Sequence, residues 1–393
     1  MCGIVGKYYF NPNQYNASDL PGMMKIISHR GPDSSGTFTN GIVALGFQRL
    51  SIIDVTTGDQ PLYNETGDIV LVANGEIYNF KELEKKLKSS GHIFKTKTDC
   101  EVIIHLYEEY GNSFVEKLNG MFAFCLYDSR KKTLLMARDR MGIKPLYYYR
   151  NEDVLIFASE IKGILAAHGI SAKQEVNVLD EYLCFGHLCN GKTFFSGIAG
   201  LEPGSLMEVT SRGLQASMYW RPEFSESKLS EDRYREKIEH CVNDSVRRQI
   251  VSDVPLGSLL SGGVDSSWVS AIAGKVSPGI KTFTVGFHEP DYNEIPYARL
   301  LTRSFNFDYH HLIIGNKEYA DSLEQSIWHY EEPLNFAGAM QNRLICKYAR
   351  DFVKVVLTGE GADELFGGYL RQYLSKLQTR FLLLGDTGQK LFL

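Results

Sequence analysis

The stretch Leu259-Leu260-Ser261-Gly262-Gly263-Val264-Asp265-Ser266-Ser267 decides how the chain is read. An apolar run, Val254 to Leu260, precedes it, and a helix-forming run, Trp268 to Lys275, follows. Strand, glycine turn and helix N-terminus together favour an anion, because free N–H groups point outward and the helix dipole attracts negative charge. Backbone donors from Ser261 to Val264 fit such a nest, and Ser266 and Ser267 add hydroxyls. The stretch lacks the glycine-lysine loop that reaches for a γ-phosphate. Asp265 in place of that lysine points to a Mg²⁺-bridged pyrophosphate. Taken alone, the stretch reads equally well as an ordinary βα turn.

Outward from it, apolar and helical runs alternate. The pattern predicts strands at 254–260, 280–287, 309–314 and 353–358, with helices at 265–275, 293–304, 317–330 and 338–351. A helix over 230–250 places Ile238, Val242, Val246 and Ile250 on one face. Such alternation predicts a parallel doubly wound sheet, whose ligands sit at the carboxyl ends of its strands. The second stretch at such an end is Thr358-Gly359-Glu360-Gly361-Ala362-Asp363-Glu364. Three crowded carboxylates are costly unless a cation offsets them, so a hard metal on phosphate oxygens accounts for them economically. Helix N-terminal charge is the simpler alternative.

The N-terminal half has a different rhythm. Strands are predicted at 2–9, 42–46, 69–73 (ending in Asn74-Gly75), 120–127, 133–138, 145–149 and 154–158. Helices are predicted at 79–90, closed by Gly91, and at 99–110, opened by Asp99. Ala199 to Gly204 and Met218 to Pro222 read as a segment leaving this layer. Strands, two helices, then strands again predict an α+β sandwich of about 200 residues.

Composition bounds the partners. The 393 residues are 44% hydrophobic and 23% charged, which is globular, with room for two domains and a large core. A net charge of −5 without a basic block argues against nucleic acid. The chain has no run long enough to span a membrane and no secretory signal pattern at its start. Seven cysteines without a C-x-x-C pair point to reduced thiols and a cytoplasmic location. Cys184 and Cys189 flank His187, but no second ligand pair follows to complete a zinc site.

Three further constellations carry chemistry. Removal of Met1 would give Cys2 a free α-amine with a pKa near ~8 beside a thiol near ~8.5, a self-contained base and nucleophile. Asn74 and Gly75 could supply oxyanion donors, although Asn-Gly is also a common hairpin turn. Arg49 could clamp a carboxylate and Asp99 could pair with an ammonium, or both could be surface ion pairs.

Met-Cys-Gly-Ile-Val-Gly at the start, Arg30-Gly31-Pro32-Asp33, Arg49-Leu50-Ser51-Ile52, Asn74-Gly75-Glu76-Ile77-Tyr78-Asn79, Ser261 to Ser267 and Thr358 to Tyr369 occur in this order. Together they strongly resemble the glutamine-hydrolysing asparagine synthetase family, from residue 2 to about 370. The resemblance implies a class II glutaminase domain over 2–215, an αββα sandwich of N-terminal nucleophile hydrolase type. It implies an asparagine synthetase domain over 229–393, an α/β parallel-sheet PP-loop ATP-pyrophosphatase. It also implies glutamine hydrolysis at Cys2 and passage of ammonia through a tunnel. ATP and aspartate would form a β-aspartyl-adenylate, and ammonia would then give asparagine, AMP, pyrophosphate and glutamate.

Carried over by position, Asn74 and Gly75 match the oxyanion hole. Arg49, Glu76 and Asp99 match the glutamine site. Leu259, Ser261, Gly262, Gly263, Asp265, Ser266, Val285, Thr358 and Gly359 match ATP contacts. Asp265 and Asp363 match the Mg²⁺ carboxylates, and Glu360 the acid of adenylation. Phe47-Gln48 stand where the family often carries a His. Family synthetase domains also continue far beyond the Phe-Gly-Gly-Tyr segment, whereas this chain ends 24 residues after Tyr369. A truncated form is therefore expected, with glutaminase chemistry better preserved than synthesis. Two other readings are an amidotransferase for a different carboxylate and a glutaminase with an inactive synthetase domain. Family members are often homodimers.

Overall fold

The computed structural model describes residues 1–225, 228–336, 338–370, 372 and 374. Contacts divide the chain into two compact units. One comprises Met1–Leu229, Val251–Val254 and Ser322–Ala339; the other comprises Ser230–Ile250, Pro255–Asp321 and Met340–Leu393.

The first unit opens with β1 (Gly3–Tyr9), α1 (Leu20–Ile26), β2 (Ser34–Thr39), β3 (Val43–Arg49), β4 (Leu62–Tyr63), β5 (Ile69–Ile77), α2 (Phe80–Ser89) and α3 (Val102–Tyr110). It continues through β6 (Gly120–Asp128), β7 (Thr133–Arg138), β8 (Tyr147–Arg150), β9 (Val154–Ala158), α4 (Ile161–Leu165), α5 (Leu179–Phe185), β10 (Ile198–Gly200), β11 (Ser205–Thr210) and β12 (Gly213–Met218). Two six-stranded antiparallel sheets result, ordered β10-β8-β9-β1-β3-β2 and β12-β11-β7-β6-β5-β4.

Side-chain alternation explains the layering. Ile69, Leu71 and Ala73 of β5 pack with α2 and α3, whereas Val70 and Val72 pack with Ile4 and Tyr8 of β1. Val5 of β1 instead meets Met23 of α1 and Ile164 of α4. Three apolar clusters therefore fill three interlayer spaces, and the unit is an αββα sandwich. Strands covered on both faces are almost continuously buried, as β5 is from Ile69 to Asn74.

Several sequence expectations need correction. The strand at 69–73 does not stop at Asn74-Gly75; it continues to Ile77 because Asn74, Gly75 and Glu76 keep pairing with Ala123, Phe122 and Met121. The segment from 199 onward does not leave the layer, since β10 adds to one sheet and the β11–β12 hairpin to the other. β2 went unread because Ser-Ser-Gly-Thr-Phe-Thr at a sheet edge has no apolar run. The single helix at 317–330 is two, broken at Ser322, where the chain passes from one unit to the other.

The second unit contains α6 (Glu231–Gln249), β13 (Leu256–Leu259), α7 (Val264–Val276), β14 (Lys281–Phe287), α8 (Ile295–Thr302), β15 (Asp308–Ile314) and α9 (Asn316–Asp321). After α10 (Leu323–Tyr330), which belongs to the first unit, come α11 (Gly338–Ala349), β16 (Val355–Leu357) and α12 (Ala362–Phe366). Its four strands are parallel, in the order β15-β14-β13-β16. Val246 of α6 and Ile272 of α7 cover one face, and Leu344 and Ile345 of α11 the other. The chain winds outward from β13 to β15, then returns to the far side of β13. That reversal makes β13/β16 the topological switch point.

Lys7 and Asp19 form a buried ion pair in the first unit, with Nζ 2.6 and 2.5 Å from the two carboxylate oxygens. The His168 amide also donates to Asp19, at 2.7 Å. Burial alone would raise the Asp19 pKa, but Lys7 and this amide outweigh it and hold the group below its ordinary value. A depressed carboxyl stabilises the fold above its unfolded pKa of ~3.9, and that stability is lost as pH falls through the folded value. Asp19→Asn strands a buried ammonium and should cost about 3–5 kcal/mol at pH 7 by urea unfolding. The double change Lys7→Met/Asp19→Leu should recover most of that loss. A single variant as stable as wild type would show the pair to be unimportant.

Candidate active site

Cys2 enters β1 at one end of the space between the two sheets. On β1 the even positions Ile4 and Tyr8 face that space, and Cys2 shares their parity and packs at its edge. On β5 the even positions Val70 and Val72 face it too, so Asn74 and Glu76 point the same way. The period of two thus brings Cys2 from one sheet toward Asn74 and Glu76 from the other.

Cys2 is moored by its neighbours. Leu50 N–H donates to Cys2 Sγ at 3.4 Å, and the thiol faces Leu50 O at 3.6 Å. Arg30 Nε donates to Cys2 O at 3.0 Å, and Ile4 N–H to Ser159 Oγ at 3.0 Å. Burial pushes the Cys2 thiol up, while the Leu50 amide and the chain-terminal amine pull it down. Asn74 is 1% exposed, and its Nδ2 is a buried donor without a hydrogen-bond partner. Such a group is costly unless something else accepts from it.

Asp99 opens the 3₁₀ turn Asp99–Glu101 ahead of α3 and is buried. It accepts from Ile77 N–H at 2.6 Å and from Thr98 Oγ1 at 3.2 Å. Burial raises its pKa to about 6 despite those bonds. Burial also raises Glu76 well above the usual range, and the Asp99 charge raises it further. Two carboxylates in one dry site cannot both ionise without a cation. Arg49 ends β3, and its guanidinium is already engaged. One terminal nitrogen donates to Asp59 at 2.9 Å and the other to Asp54 O at 2.5 Å.

Sequence reasoning missed two basic groups. Lys144 is 5% exposed, with Nζ 3.1 Å from Met1 Sδ, and burial lowers its pKa to about 8. Arg30 joins Cys2 O to Glu160, its NH1 lying 2.8 Å from Glu160 Oε1. Arg30 stood in a motif quoted for the resemblance, but Lys144, in Gly142-Ile143-Lys144-Pro145, carried no local signal. Phe47 is core and Gln48 donates to Met24 O at 3.1 Å.

In the second unit the two glycine loops follow β13 and β16, the strands of the switch point. Gly262 has φ +86°, the left-handed region, and a Cβ there would lie 2.6 Å from Ala298 N. Ser266 Oγ accepts from Ser261 N–H at 3.2 Å and lies 2.8 Å from Ser261 Oγ. A Cβ on Gly359 would meet Ser266 N at 2.7 Å and Asp265 at 3.0 Å. The loops therefore touch, bringing Gly359 onto Asp265 and Ser266, with Thr358 beside them in the chain. Asp265 and Asp363 stand in the first turns of α7 and α12, both partly exposed. Glu360 is exposed, and its N–H donates to Thr358 Oγ1 at 3.3 Å. Leu259 ends β13, and Val285 is buried in β14. A cleft of about 650 Å³ opens beside Ser261, Gly262 and Gly263. The rest of its lining includes Phe287, Tyr292, Tyr297 and Gln341, none of which the sequence singled out.

An αββα sandwich with a thiol beside its first strand, joined to a parallel α/β unit with a glycine loop at its switch point, defines a two-part amidotransferase architecture. A glutamine amidotransferase domain model matches residues 1–220 and an asparagine synthase model matches 237–389. The chain belongs to the family of glutamine-hydrolysing asparagine synthetases. Asparagine synthetase 1 of Bacillus subtilis is 37% identical over 94% of this chain, which spans 59% of that relative's length. A putative asparagine synthetase 2 of Methanocaldococcus jannaschii is 34% identical, with 94% of this chain and 76% of the relative covered. Among solved structures, glutamine phosphoribosylpyrophosphate amidotransferase from B. subtilis is 15% identical at a TM-score of 0.42, covering 79% and 81% of the two chains. Among the described residues no helix is long and apolar enough to cross a membrane.

The Glu76–Asp99 pair makes a stability prediction. A raised carboxyl pKa stabilises the fold fully below the unfolded value of about 4, and that contribution is lost as pH rises through the folded value. Glu76→Gln removes one of the two charges. Its thermal midpoint should exceed that of wild type at pH 8, and the gap should close toward pH 4. A variant no more stable at pH 8 would argue against like-charge repulsion in the site.

Proposed function

We propose that this chain hydrolyses glutamine at Cys2 and uses the ammonia to amidate an aspartyl-adenylate made from ATP, forming asparagine, AMP, pyrophosphate and glutamate. The observation that carries the first half is the buried, unpartnered Asn74 Nδ2 on the face that Cys2 shares. An acceptor that arrives with the substrate would satisfy it.

In this reading Met1 is removed and the Cys2 amine takes the proton of its own thiol. An α-amine with an ordinary pKa near ~8 is partly neutral at pH 7 and can serve as that base. The thiolate attacks the glutamine amide carbon. Asn74 Nδ2 and Gly75 N–H donate to the resulting oxyanion. The amine returns its proton to the leaving ammonia, and water then cleaves the thioester to glutamate. Glu76 and Asp99 take the substrate ammonium, which adds to the positive charge that Lys144 already brings to Glu76. Arg49 takes the substrate carboxylate, exchanging its bond to Asp59.

In the second unit, Ser261, Gly262, Gly263 and Ser266, with Thr358 and Gly359, would cradle the ATP phosphates, and Leu259 and Val285 would border the nucleotide. The hard carboxylate oxygens of Asp265 and Asp363, on loops in contact, fit a magnesium ion. When bound, that ion would neutralise charge on the pyrophosphate. Glu360 would assist adenylation of the aspartate carboxylate. The seven free thiols suit a cytoplasmic setting.

Glutamine hydrolysis, AMP release and asparagine formation should be measured separately, with glutamine or ammonium as nitrogen donor. Cys2→Ala should abolish glutamine hydrolysis while ammonium-driven AMP and asparagine formation persists. Glutamine use by that variant would overturn the nucleophile. AMP release with another carboxylate but not with aspartate would overturn the acceptor. Asp99→Asn should raise the glutamine KM about 10–100-fold with little change in kcat, as expected for loss of a charged hydrogen-bond partner. Wild-type kcat/KM for glutamine should rise with pH through about 6, as Asp99 ionises to meet the ammonium. A flat profile there would remove Asp99 from that role.

A further inference from the structure

A cluster away from both sites has the composition and spacing of a metal centre. Glu65 lies in the β4–β5 turn, His92 follows α2, and His105 and Glu108 share one face of α3 at a spacing of three. One nitrogen or oxygen from each lies within 4.8 Å of the other three. His105 Nδ1 is 3.2 Å from Glu108 Oε2 and 3.7 Å from Glu65 Oε2. His92 Nδ1 is 3.6 Å from Glu65 Oε1 and 3.7 Å from Glu108 Oε2. A tetrahedral zinc bound at about 2.0–2.2 Å holds its ligand atoms roughly 3.3–3.6 Å apart. The four separations, 3.2–3.7 Å, lie close to that range, and since they run to both oxygens of Glu65, its carboxylate turns to present one of them to the metal.

The outer contacts are those of ligands held for a metal. His92 turns its other nitrogen to Glu109 Oε1, at 2.9 Å. Buried His105 turns its Nε2 toward buried Glu101 Oε1, at 3.6 Å. Asn64 Nδ2 holds the second oxygen of Glu108 at 2.9 Å, and Ile93 N–H holds Glu65 Oε1 at 2.9 Å. Metal-bound histidines characteristically present their second nitrogen to a carboxylate, and ligating carboxylates are themselves hydrogen-bonded. Both imidazoles direct Nδ1 inward; Nε2 of His92 is hydrogen-bonded outside the cluster, whereas Nε2 of His105 only faces Glu101.

We propose that Glu65, His92, His105 and Glu108 form a structural zinc site that fastens the β4–β5 turn and the loop after α2 onto α3. Four protein ligands close the tetrahedron, leaving no position for substrate, and that marks a structural rather than a catalytic centre. Two imidazoles select a borderline transition ion over magnesium or calcium. Two carboxylates neutralise its charge. The site is separate from glutamine hydrolysis and from the ATP loops.

The test uses the full chain, stripped with chelator and dialysed against zinc, with magnesium as a control. One zinc per chain by elemental analysis and a higher thermal midpoint with zinc than with magnesium are expected. Cobalt in its place should give the d–d bands of a tetrahedral nitrogen–oxygen site without a thiolate charge-transfer band. Cys2→Ala should keep the metal. His92→Gln and Glu65→Gln, both outside regular elements, should lose it while retaining the wild-type circular dichroism of the metal-free chain. Glu109→Gln should weaken zinc binding on the order of 10–100-fold through its histidine. Failure of the wild type to retain zinc would overturn the proposal. So would equal retention by His92→Gln, or a thiolate band that places the metal on cysteine.

Discussion

The structure depends on a constraint of pleated strands: successive side chains must point to opposite faces. In the first unit both sheets are covered on both faces, so nearly every residue of a central strand must be apolar. Polar groups within them need a partner, as Lys7 has in Asp19, or stand where a strand runs out of covering. Cys2, Asn74 and Glu76 stand at such ends, on the inter-sheet face. The proposed glutamine chemistry therefore sits at the mouth of the inter-sheet core, where water is scarce and a charge is expensive. That scarcity raises Glu76 and Asp99 and lowers Lys144. An ammonium-bearing substrate would add a second cation beside Lys144 for this pair of carboxylates.

The parallel sheet obeys a different rule. Its strands are short and its helices long, and its chemistry is confined to the point where the winding reverses. Contact at Gly359 between the loops after β13 and β16 depends on the absence of a single methyl group. The two units thus place polar groups by different means: one by strand parity, the other by loop position.

Long periodic elements were legible in the sequence. β7, β9, α3 and α6 fall within a few residues of their expected spans, because the strands are continuous apolar runs and the helices are long runs of helix formers. That the second sheet is parallel followed from the alternation of strands and helices, but its strand order did not. β2 and the β11–β12 hairpin were not legible: β2 and β12 are edge strands whose residues form no apolar run. Asn74-Gly75 was read as a strand end because that pair usually turns, but four further ladder pairs with β6, from Asn74 to Ile77, overrode the local preference. At the site, short motifs pointed to Cys2, Asn74, Glu76 and Asp99. Lys144 escaped because its relevance comes from burial beside the chain start, which no neighbouring residue announces. The Glu65, His92, His105 and Glu108 cluster escaped for a related reason: only His105 and Glu108 are close in sequence.

The strand that follows Cys2 has a consequence for the order of folding. β1 is the first strand synthesised, yet it lies inside its sheet, between β3 and β9. Its bond from Ile4 N–H to Ser159 Oγ spans 155 residues. Contacts of such sequence separation form late and at a high loop-closure cost. The thiol end of β1 therefore waits on the ribosome for its second neighbour until most of the first unit has emerged. During synthesis the Cys2 thiol exists well before the dry, donor-lined surroundings in which its proposed chemistry takes place. Its reactivity is thus timed by topology.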